Sequence, residues 1–218
     1  MQNKMREFAA SLGLELNAQQ TQQLAAYAEL VWEKKGFLNL TSVADKEEIF
    51  TRHICDGLAA AAFFKQAAGE KKAFSLADMG SGAGYIGLAC AVALPQARVS
   101  LVDSLEKRCS FLNWAVLKLG LKNVSVVCMR LGQKQTGPFD FVTERAMGQI
   151  NDILPLVACA VKEGGLFAAY QSQPAQADRA LAKRFGLMEK EPVAYTLPGE
   201  EKARYLAVFA KQAPGGEQ

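Results

Sequence analysis

A glycine-rich turn and a carboxylate beyond it are the residues of this 218-residue chain whose types and spacing could do chemistry. Residues 78–87 read DMGSGAGYIG and follow the apolar run 74–77. Glycines accept positive φ and let the backbone approach a ligand closely, and the free amides at a helix start favour negative charge. Asp103 ends the next apolar run, where a carboxylate can take both hydroxyls of a ribose. The spacing predicts a strand, a turn, a helix and a second strand that bind an adenosine-containing cofactor.

The same loop fits two cofactors, depending on where the pattern begins. Read from Gly82, it gives G-x-G-x-x-G, the fingerprint of dinucleotide-binding folds. Read from Asp78, it gives D-x-G-x-G-x-G, the pattern of Rossmann-like methyltransferases that bind S-adenosyl-L-methionine. Asp78 favours the second interpretation, because an acid there can help to hold the methionine ammonium, directly or through water, but would repel a pyrophosphate. A turn without a ligand is disfavoured, since three spaced glycines weaken packing unless a ligand or a close contact needs them.

Length and charge limit the remaining possibilities. The chain is long enough for one α/β domain with an appendage. The longest apolar run, residues 58–64, is too short to span a membrane, and residues 1–8 lack a signal-peptide core, so we expect a cytoplasmic protein. The net charge of +3 lies entirely in residues 78–218, without a basic tail. Any RNA binding must therefore use a shaped surface with a few placed cations.

The five cysteines and the single histidine give no metal-ligand pattern. Cys90, Cys109 and Cys159 fall on apolar sides of predicted helices, and Cys128 ends a predicted strand. We expect reduced core thiols, with neither a disulfide nor a metal site.

The first part of the chain is predicted to be helical. Residues 18–35 place Leu24, Tyr27, Ala28 and Val31 on one apolar face. A connecting loop is expected over 36–42. A second helix then begins at Asp45, where Glu48 completes a capping-box pattern, and it continues to about residue 65.

From residue 73 the predicted strands and helices alternate. The last two strands are joined without a crossover helix and must pair antiparallel. We expect an α/β, Rossmann-like, seven-stranded and mostly parallel sheet with a C-terminal antiparallel hairpin and an N-terminal helical extension. The predicted strands cover 74–78, 98–102, 123–128, 139–143, 166–170, 190–197 and 204–210, and the helices 84–94, 104–120, 148–162 and 175–186. The predicted units are a substrate-side extension (1–72), a cofactor-binding catalytic domain (73–212) and a tail (213–218).

Several separate stretches form a second pattern: 39–42 (NLTS), 52–58 (RHICDGL), 80–87, 103–108 (DSLEKR) with Phe111-Leu112, Arg145-Ala146, and Leu197-Pro198 with Arg204. Together they resemble one family, the bacterial methyltransferases that modify ring nitrogen 7 of a guanine in 16S ribosomal RNA, formerly named glucose-inhibited division protein B. The resemblance implies methylation in the 530-loop region by direct in-line transfer. It also implies 16S ribosomal RNA or the small ribosomal subunit as partner. We further expect no membrane partner, no obligate protein partner and a monomeric state.

The resemblance further implies roles for individual residues. Arg145 would contact the cofactor carboxylate, an RNA phosphate or the target base, and Asn39 and His53 would help to position the substrate. The cofactor would be held by Asp78, Gly80, Gly82, Gly84, Tyr85, Asp103, Leu131, Gly132 and Arg145.

Three positions depart from the family pattern. Gly132 stands where the family usually has an acid near the adenine or ribose, and Glu144 stands where serine is common. Residues 171–172 (QS) replace a lysine-glycine pair, which removes a cation that could contact RNA.

The chemistry implied by the resemblance needs no acid or base, so none is assigned. Guanine nitrogen 7 carries a lone pair and no proton, and catalysis reduces to holding nucleophile, methyl group and sulfur in line. Three alternatives stay open: a methyltransferase of another RNA or a small molecule, an NAD(P)-dependent oxidoreductase, and a non-catalytic RNA-binding protein. The oxidoreductase would need a proton donor such as Tyr-x-x-x-Lys, which the sequence lacks.

Overall fold

One mixed sheet of eight strands runs through the part of the chain that the structure describes. The structure is a computed structural model that describes residues 2–38, 45–132, 137–174 and 177–213. The strands are β1 (Phe74–Met79), β2 (Ala97–Asp103), β3 (Val124–Cys128), β4 (Phe139–Glu144), β5 (Val161–Gln171), β6 (Leu187–Glu189), β7 (Val193–Thr196) and β8 (Ala203–Lys211). Their spatial order is β3-β2-β1-β4-β5-β8-β6, and β7 also pairs with β8. Strands β1 to β5 are parallel, and β8 is antiparallel to β5, which confirms the predicted α/β class.

The sheet has eight strands instead of the predicted seven. The segment predicted as one strand over 190–197 pairs with β8 only from Val193, and a separate short strand, β6, pairs with the far end of β8. Pro192 lies between the two strands, and proline cannot donate a ladder hydrogen bond. The predicted terminal hairpin is confirmed as β7 and β8.

The helices are α1 (Gln2–Ser11), α2 (Ala18–Leu38), α3 (Lys46–Glu48), α4 (Cys55–Ala68), α5 (Tyr85–Ala93), α6 (Glu106–Leu119), α7 (Ile150–Val157) and α8 (Arg179–Arg184). Helix α2 continues to Leu38, so the loop predicted from residue 36 begins later, and residues 39–44 lie outside the described part. Helix α7 ends at Val157 instead of residue 162, because β5 begins at Val161 through an irregular pairing with Phe139.

Two predictions for the N-terminal helices are confirmed. Leu24, Tyr27, Ala28 and Val31 are fully buried. The Asp45 side chain accepts a hydrogen bond from the backbone N–H of Glu48. A π-helical segment, Ile49–Ile54, then leads into α4. Such wider turns often occur at functional sites.

Apolar side chains cover both faces of the sheet, as the α/β class requires. On one face a single cluster joins residues of α1, α2, α4, α5 and α6 to the strands, so the N-terminal helices share a core with the glycine turn. The other face is covered by α7 and α8.

The prediction of core thiols is correct for three cysteines and wrong for two. Cys55, Cys90 and Cys109 are buried, whereas Cys128 and Cys159 are exposed. Cys128 ends β3, which lies at the edge of the sheet, and Cys159 lies in the turn after α7. None of the helices in the described ranges is both long and apolar enough to cross a membrane. Among the described residues, no group of three or more His, Cys, Asp or Glu could hold a metal ion.

Candidate active site

The glycine turn lies at the carboxyl edge of the sheet, between β1 and α5. Gly80, Gly82 and Gly84 all have positive φ. A Cβ on Gly84 would lie 2.7 Å from Leu112 and 2.9 Å from Leu88, so the turn needs glycine there for its conformation and for its packing. The sequence of the turn therefore determines the backbone conformation that leads from β1 into α5.

Asp78 lies beneath this turn. Its Oδ2 accepts a hydrogen bond from the backbone N–H of Gly87 at 2.9 Å, and its backbone carbonyl accepts one from the Ser81 hydroxyl. Burial raises the pKa of Asp78 to about 7. The carboxylate therefore ties the turn to the first turn of α5.

Asp103 joins the glycine turn to the end of β2. Its side chain is 4% exposed; Oδ2 accepts from the Gly82 N–H at 2.8 Å and Oδ1 from the Leu105 N–H at 3.0 Å. Arg108 lies 3.7 Å from the same carboxylate. The acid predicted to bind ribose is thus held by one backbone N–H of the glycine turn and by one from the segment that follows β2.

A cleft of about 470 Å³ opens beside Asp103. A cavity of this size is typical of small-molecule and cofactor sites. Its lining consists of Gly80, Val102, Asp103, Ser104, Arg108, Met129, Arg130, Leu131, Arg145, Ala146, Met147 and Leu156. Of the residues predicted to hold the cofactor, Gly80, Asp103, Leu131 and Arg145 line it. Asp78, Gly82, Gly84, Tyr85 and Gly132 are not among the lining residues.

The cleft fits a cofactor through one residue of its lining, because Asp103 places a buried carboxylate beside it. A Cβ on Gly80 would lie 2.8 Å from the Met147 side chain, so Met147 can pack on this wall only because residue 80 is glycine. Gly132, which replaces the usual acid of the family, has a φ of +84°, a conformation that an L side chain rarely adopts. The local backbone is therefore built for glycine and not for a carboxylate.

Arg145 follows β4 directly and meets the N-terminal helices at the cleft. Its Nη1 donates to Asp56 Oδ2 at 2.8 Å and lies 3.3 Å from His53 Nδ1. Its guanidinium carbon lies 5.2 Å from the centre of the Tyr85 ring, within cation–π range. Arg145, His53 and Tyr85, three of the predicted site residues, therefore lie together. Asn39 lies outside the described residues.

His53 is neutral at ordinary pH. Burial and the neighbouring Arg145 lower its pKa to about 3. Its ring lies 4.3 Å from the Tyr85 ring, and the hydroxyl of Tyr27 donates to the Ala83 carbonyl within the glycine turn. Helices from the first part of the chain therefore contact the turn directly.

The interactions of two acidic residues of the site were not predicted. Asp56 is buried, and its carboxylate accepts hydrogen bonds from Arg145, Arg204 and Tyr195. Glu144, at the end of β4, is also buried; its Oε2 accepts from the Met147 N–H, and burial raises its pKa to about 7. The resemblance marked Asp56 and Arg204, but Tyr195 carries no local sequence signal.

Comparison with known proteins agrees with this geometry. Residues 20–204 match the GidB family, described as rRNA small subunit methyltransferase G. The chain is 34% identical over 218 residues to a ribosomal RNA small subunit methyltransferase G of Limosilactobacillus reuteri, covering 95% of this chain and 90% of that protein. It is 34% identical over 211 residues to the protein of the same name from Lachnoclostridium phytofermentans, covering 92% and 85%.

Solved structures share the fold at low sequence identity. A SAM-dependent methyltransferase from Aquifex aeolicus gives a TM-score of 0.56 at 16% identity, over 78% of this chain and 96% of that one. TYW2 of M. jannaschii, in complex with AdoMet, gives 0.51 at 14% identity, over 67% and 72%. The sheet is therefore the Rossmann-like methyltransferase sheet. With the family match over residues 20–204, it follows that this chain belongs to the rRNA small subunit methyltransferase G family and is a methyltransferase that uses S-adenosylmethionine.

Proposed function

We propose that this enzyme methylates ring nitrogen 7 of one guanine of 16S ribosomal RNA, in the 530-loop region, by direct in-line transfer. The observation that carries the proposal is the chemistry of the cleft lining. Its ionisable side chains in the described part of the chain are three arginines and Asp103. Because we assign Asp103 to the ribose of the cofactor, the described lining offers three cations and a shaped surface, and no further carboxylate to act as a general base. Guanine nitrogen 7 is a nucleophile that needs none, so orientation is sufficient.

The cofactor, when bound, supplies an electrophilic methyl group on a sulfonium. Asp103 would accept hydrogen bonds from the ribose hydroxyls, and Leu131 with Gly132 would border the adenine. The backbone at Gly80, Gly82, Gly84 and Tyr85 would lie along the methionine end. Asp78 would act on the methionine ammonium directly or through water, from its buried position under the turn.

The substrate would be held by the group around Arg145. A neutral His53 beside a fixed guanidinium gives one cation and one polar ring at the cleft rim. We assign Arg145, His53 and Asn39 to positioning the guanine or its phosphate. Arg108 and Arg130, which also line the cleft, can neutralise RNA phosphates. The base must leave its stack to reach the methyl group, since a stacked base cannot enter a cleft of this kind.

The three predicted parts of the chain would have different roles. Residues 1–72 would face the substrate, residues 73–212 would bind the cofactor and carry the catalytic edge, and residues 213–218 would form a tail. The partner would be the 16S RNA, free or in the small subunit, bound by a monomer in the cytoplasm without an obligate protein partner.

The test is methyl transfer from labelled S-adenosylmethionine to two acceptors, 30S subunits and naked 16S RNA, both lacking 7-methylguanosine. We expect label at a single guanine, located by strand cleavage at the methylated base. Label at another atom or another base would overturn the assignment to nitrogen 7. No label on either acceptor, with cofactor binding intact by calorimetry, would favour a methyltransferase of another RNA or a small molecule.

A further inference from the structure

A single buried carboxylate holds the two arginines on the substrate side of the site. Asp56, in the first turn of α4, is 1% exposed. Its Oδ2 accepts from Arg145 Nη1 at 2.8 Å and from Arg204 Nη1 at 3.1 Å. Its Oδ1 accepts from the Tyr195 hydroxyl at 2.7 Å. Charge-assisted bonds of this kind are short and directional, so they fix the groups that make them.

The two arginines depend on this carboxylate to different degrees. Arg204 also has Glu200, which accepts from its Nε and Nη2 at 3.0 and 2.8 Å. For Arg145, Asp56 is the one carboxylate within ion-pair distance among the described residues. The loss of Asp56 would therefore leave Arg204 with a carboxylate partner, whereas Arg145 would keep only the neutral His53 and the Tyr85 ring among its described contacts.

Asp56 also connects parts of the fold that are far apart in sequence. Its backbone carbonyl accepts from the Tyr170 hydroxyl of β5 at 2.8 Å, and its side chain reaches Tyr195 of β7 and Arg204 of β8. The N-terminal helices, the end of β4 and the C-terminal hairpin thus meet at one residue. A shift of any of these elements would move Arg145 relative to the cleft that it lines.

Arg145 retains hydrogen-bonding capacity for a ligand. Its described hydrogen bonds are all made through Nη1, and its side chain is 22% exposed. Because the guanidinium is planar and rigid, holding Nη1 sets the direction of Nη2 and Nε.

We propose that Asp56 is a positioning residue, which holds Arg145 in the orientation that receives the RNA substrate. The proposal rests on the proposed function, because it names what fixes the substrate-side cation of that site. Asp56 itself touches neither cofactor nor RNA, and it acts through Arg145. Its removal should therefore impair the use of RNA much more than the binding of S-adenosylmethionine.

The experiment compares Asp56→Asn and Asp56→Glu with Tyr195→Phe, which removes a neutral donor to the same carboxylate and keeps both ion pairs. For each folded variant we would measure kcat and KM for RNA, the cofactor Kd by calorimetry, and stability by urea unfolding. We would also record the ¹⁵N–¹H signals of the Arg145 guanidinium, which report restricted rotation. Asp56→Glu retains the charge and displaces it by one methylene, so it stays informative if Asp56→Asn fails to fold.

In both Asp56 variants we expect the guanidinium signals of Arg145 to lose their evidence of restricted rotation. We also expect kcat/KM for RNA to fall by about tenfold or more, while the cofactor Kd stays within about threefold of the wild-type value. Tyr195→Phe should retain a restricted Arg145 signal. An unchanged Arg145 signal in both Asp56 variants would overturn the proposal. A loss of kcat/KM for RNA that is proportional to the loss of stability across all three variants would also overturn the proposal. If the wild-type enzyme failed to label 16S RNA, the proposed function would fail, and the Arg145 signal would still decide whether Asp56 positions that side chain.

Discussion

Gly57 in α4 lies so close to α5 that a Cβ added to it would come within 2.5 Å of both the Ala89 Cβ and the Tyr85 carbonyl oxygen. The Sγ of Cys90 also lies 3.6 Å from the Gly57 carbonyl oxygen. The two helices therefore pack almost backbone to backbone. This contact sets the start of α4, with Asp56, against the helix that follows the glycine turn.

Gly57→Ala should destabilise the protein by roughly 2 kcal/mol or more, because the new methyl group would meet the backbone and a Cβ of the buried helix α5. Urea unfolding measures the change. Gly36→Ala is the matched control: Gly36 is exposed within α2, and no described atom lies within 4 Å of its added Cβ. That variant should be more stable by roughly 0.5 to 1 kcal/mol, as expected for alanine in a helix. Equal effects of the two substitutions would contradict the close packing at Gly57.

Asp103→Ala should weaken binding of S-adenosylmethionine by about tenfold or more, because it removes the proposed acceptor for the ribose together with the acceptor for the Gly82 N–H. Isothermal titration calorimetry measures the Kd. Asp152→Ala removes an exposed carboxylate from the first turn of α7 and should leave the Kd unchanged. If both variants bound the cofactor as the wild type does, Asp103 would not be its ribose ligand.

Glu144→Gln should make stability less dependent on pH. The pKa of Glu144 is raised from its ordinary 4.5 to about 7 by burial. A raised folded-state pKa contributes stability below pH 4.5 that is lost as the pH rises through about 7. Above that pH the ionised wild-type side chain costs roughly 3 kcal/mol, which glutamine avoids while still accepting from the Met147 N–H.

Urea unfolding at several pH values between 5 and 8 tests this expectation. The variant should gain stability over the wild type as the pH rises. Part of the slope should remain, because burial also raises the pKa of Asp78. Glu163→Gln, at an exposed position on β5, is the control and should run parallel to the wild type. A parallel curve for Glu144→Gln would show that Glu144 does not titrate in this range.

Gln171→Lys should strengthen RNA binding. Gln171 ends β5 at the carboxyl edge of the sheet, half-buried, in the position where the family usually has a cation. One added phosphate contact should steepen the slope of log K against log salt by about one. Fluorescence titrations of an RNA fragment over a salt series would measure it. Gln66→Lys adds the same charge at an exposed position near the end of α4 and should leave the slope unchanged. Equal slopes in the two variants would exclude Gln171 from the RNA surface.

Features that depend on neighbours in sequence could be predicted, whereas those made by distant segments could not. The glycine turn, Asp103 and the Asp45–Glu48 cap each depend on spacings of a few residues or on one strand–helix unit. The end of α7 was misplaced because apolar residues continue from that helix into β5, and an apolar run does not distinguish a buried helix from a buried strand.

The interactions of Asp56 belong to the second class. The hydrogen bond from Tyr195 spans 139 positions and the one from Arg204 spans 148, so only the assembled sheet brings these groups together. For the same reason no local pattern predicts that Arg145 has its ion-pair partner in an N-terminal helix. The periodicity of apolar residues assigns side chains to one face of a helix or strand. Which of these faces then contact each other is determined by the topology of the sheet.

The two backbone hydrogen bonds of Asp103 have a consequence for how a ribose would be recognised. A carboxylate offers about four lone-pair directions, and the N–H groups of Gly82 and Leu105 already occupy one on each oxygen. About two directions remain, one for each hydroxyl of a ribose. The side chain therefore holds its own turn and, under the proposed function, would still have one acceptor direction for each ribose hydroxyl. A sugar that lacks one hydroxyl would leave a desolvated acceptor without a donor, so Asp103 would favour ribose over deoxyribose.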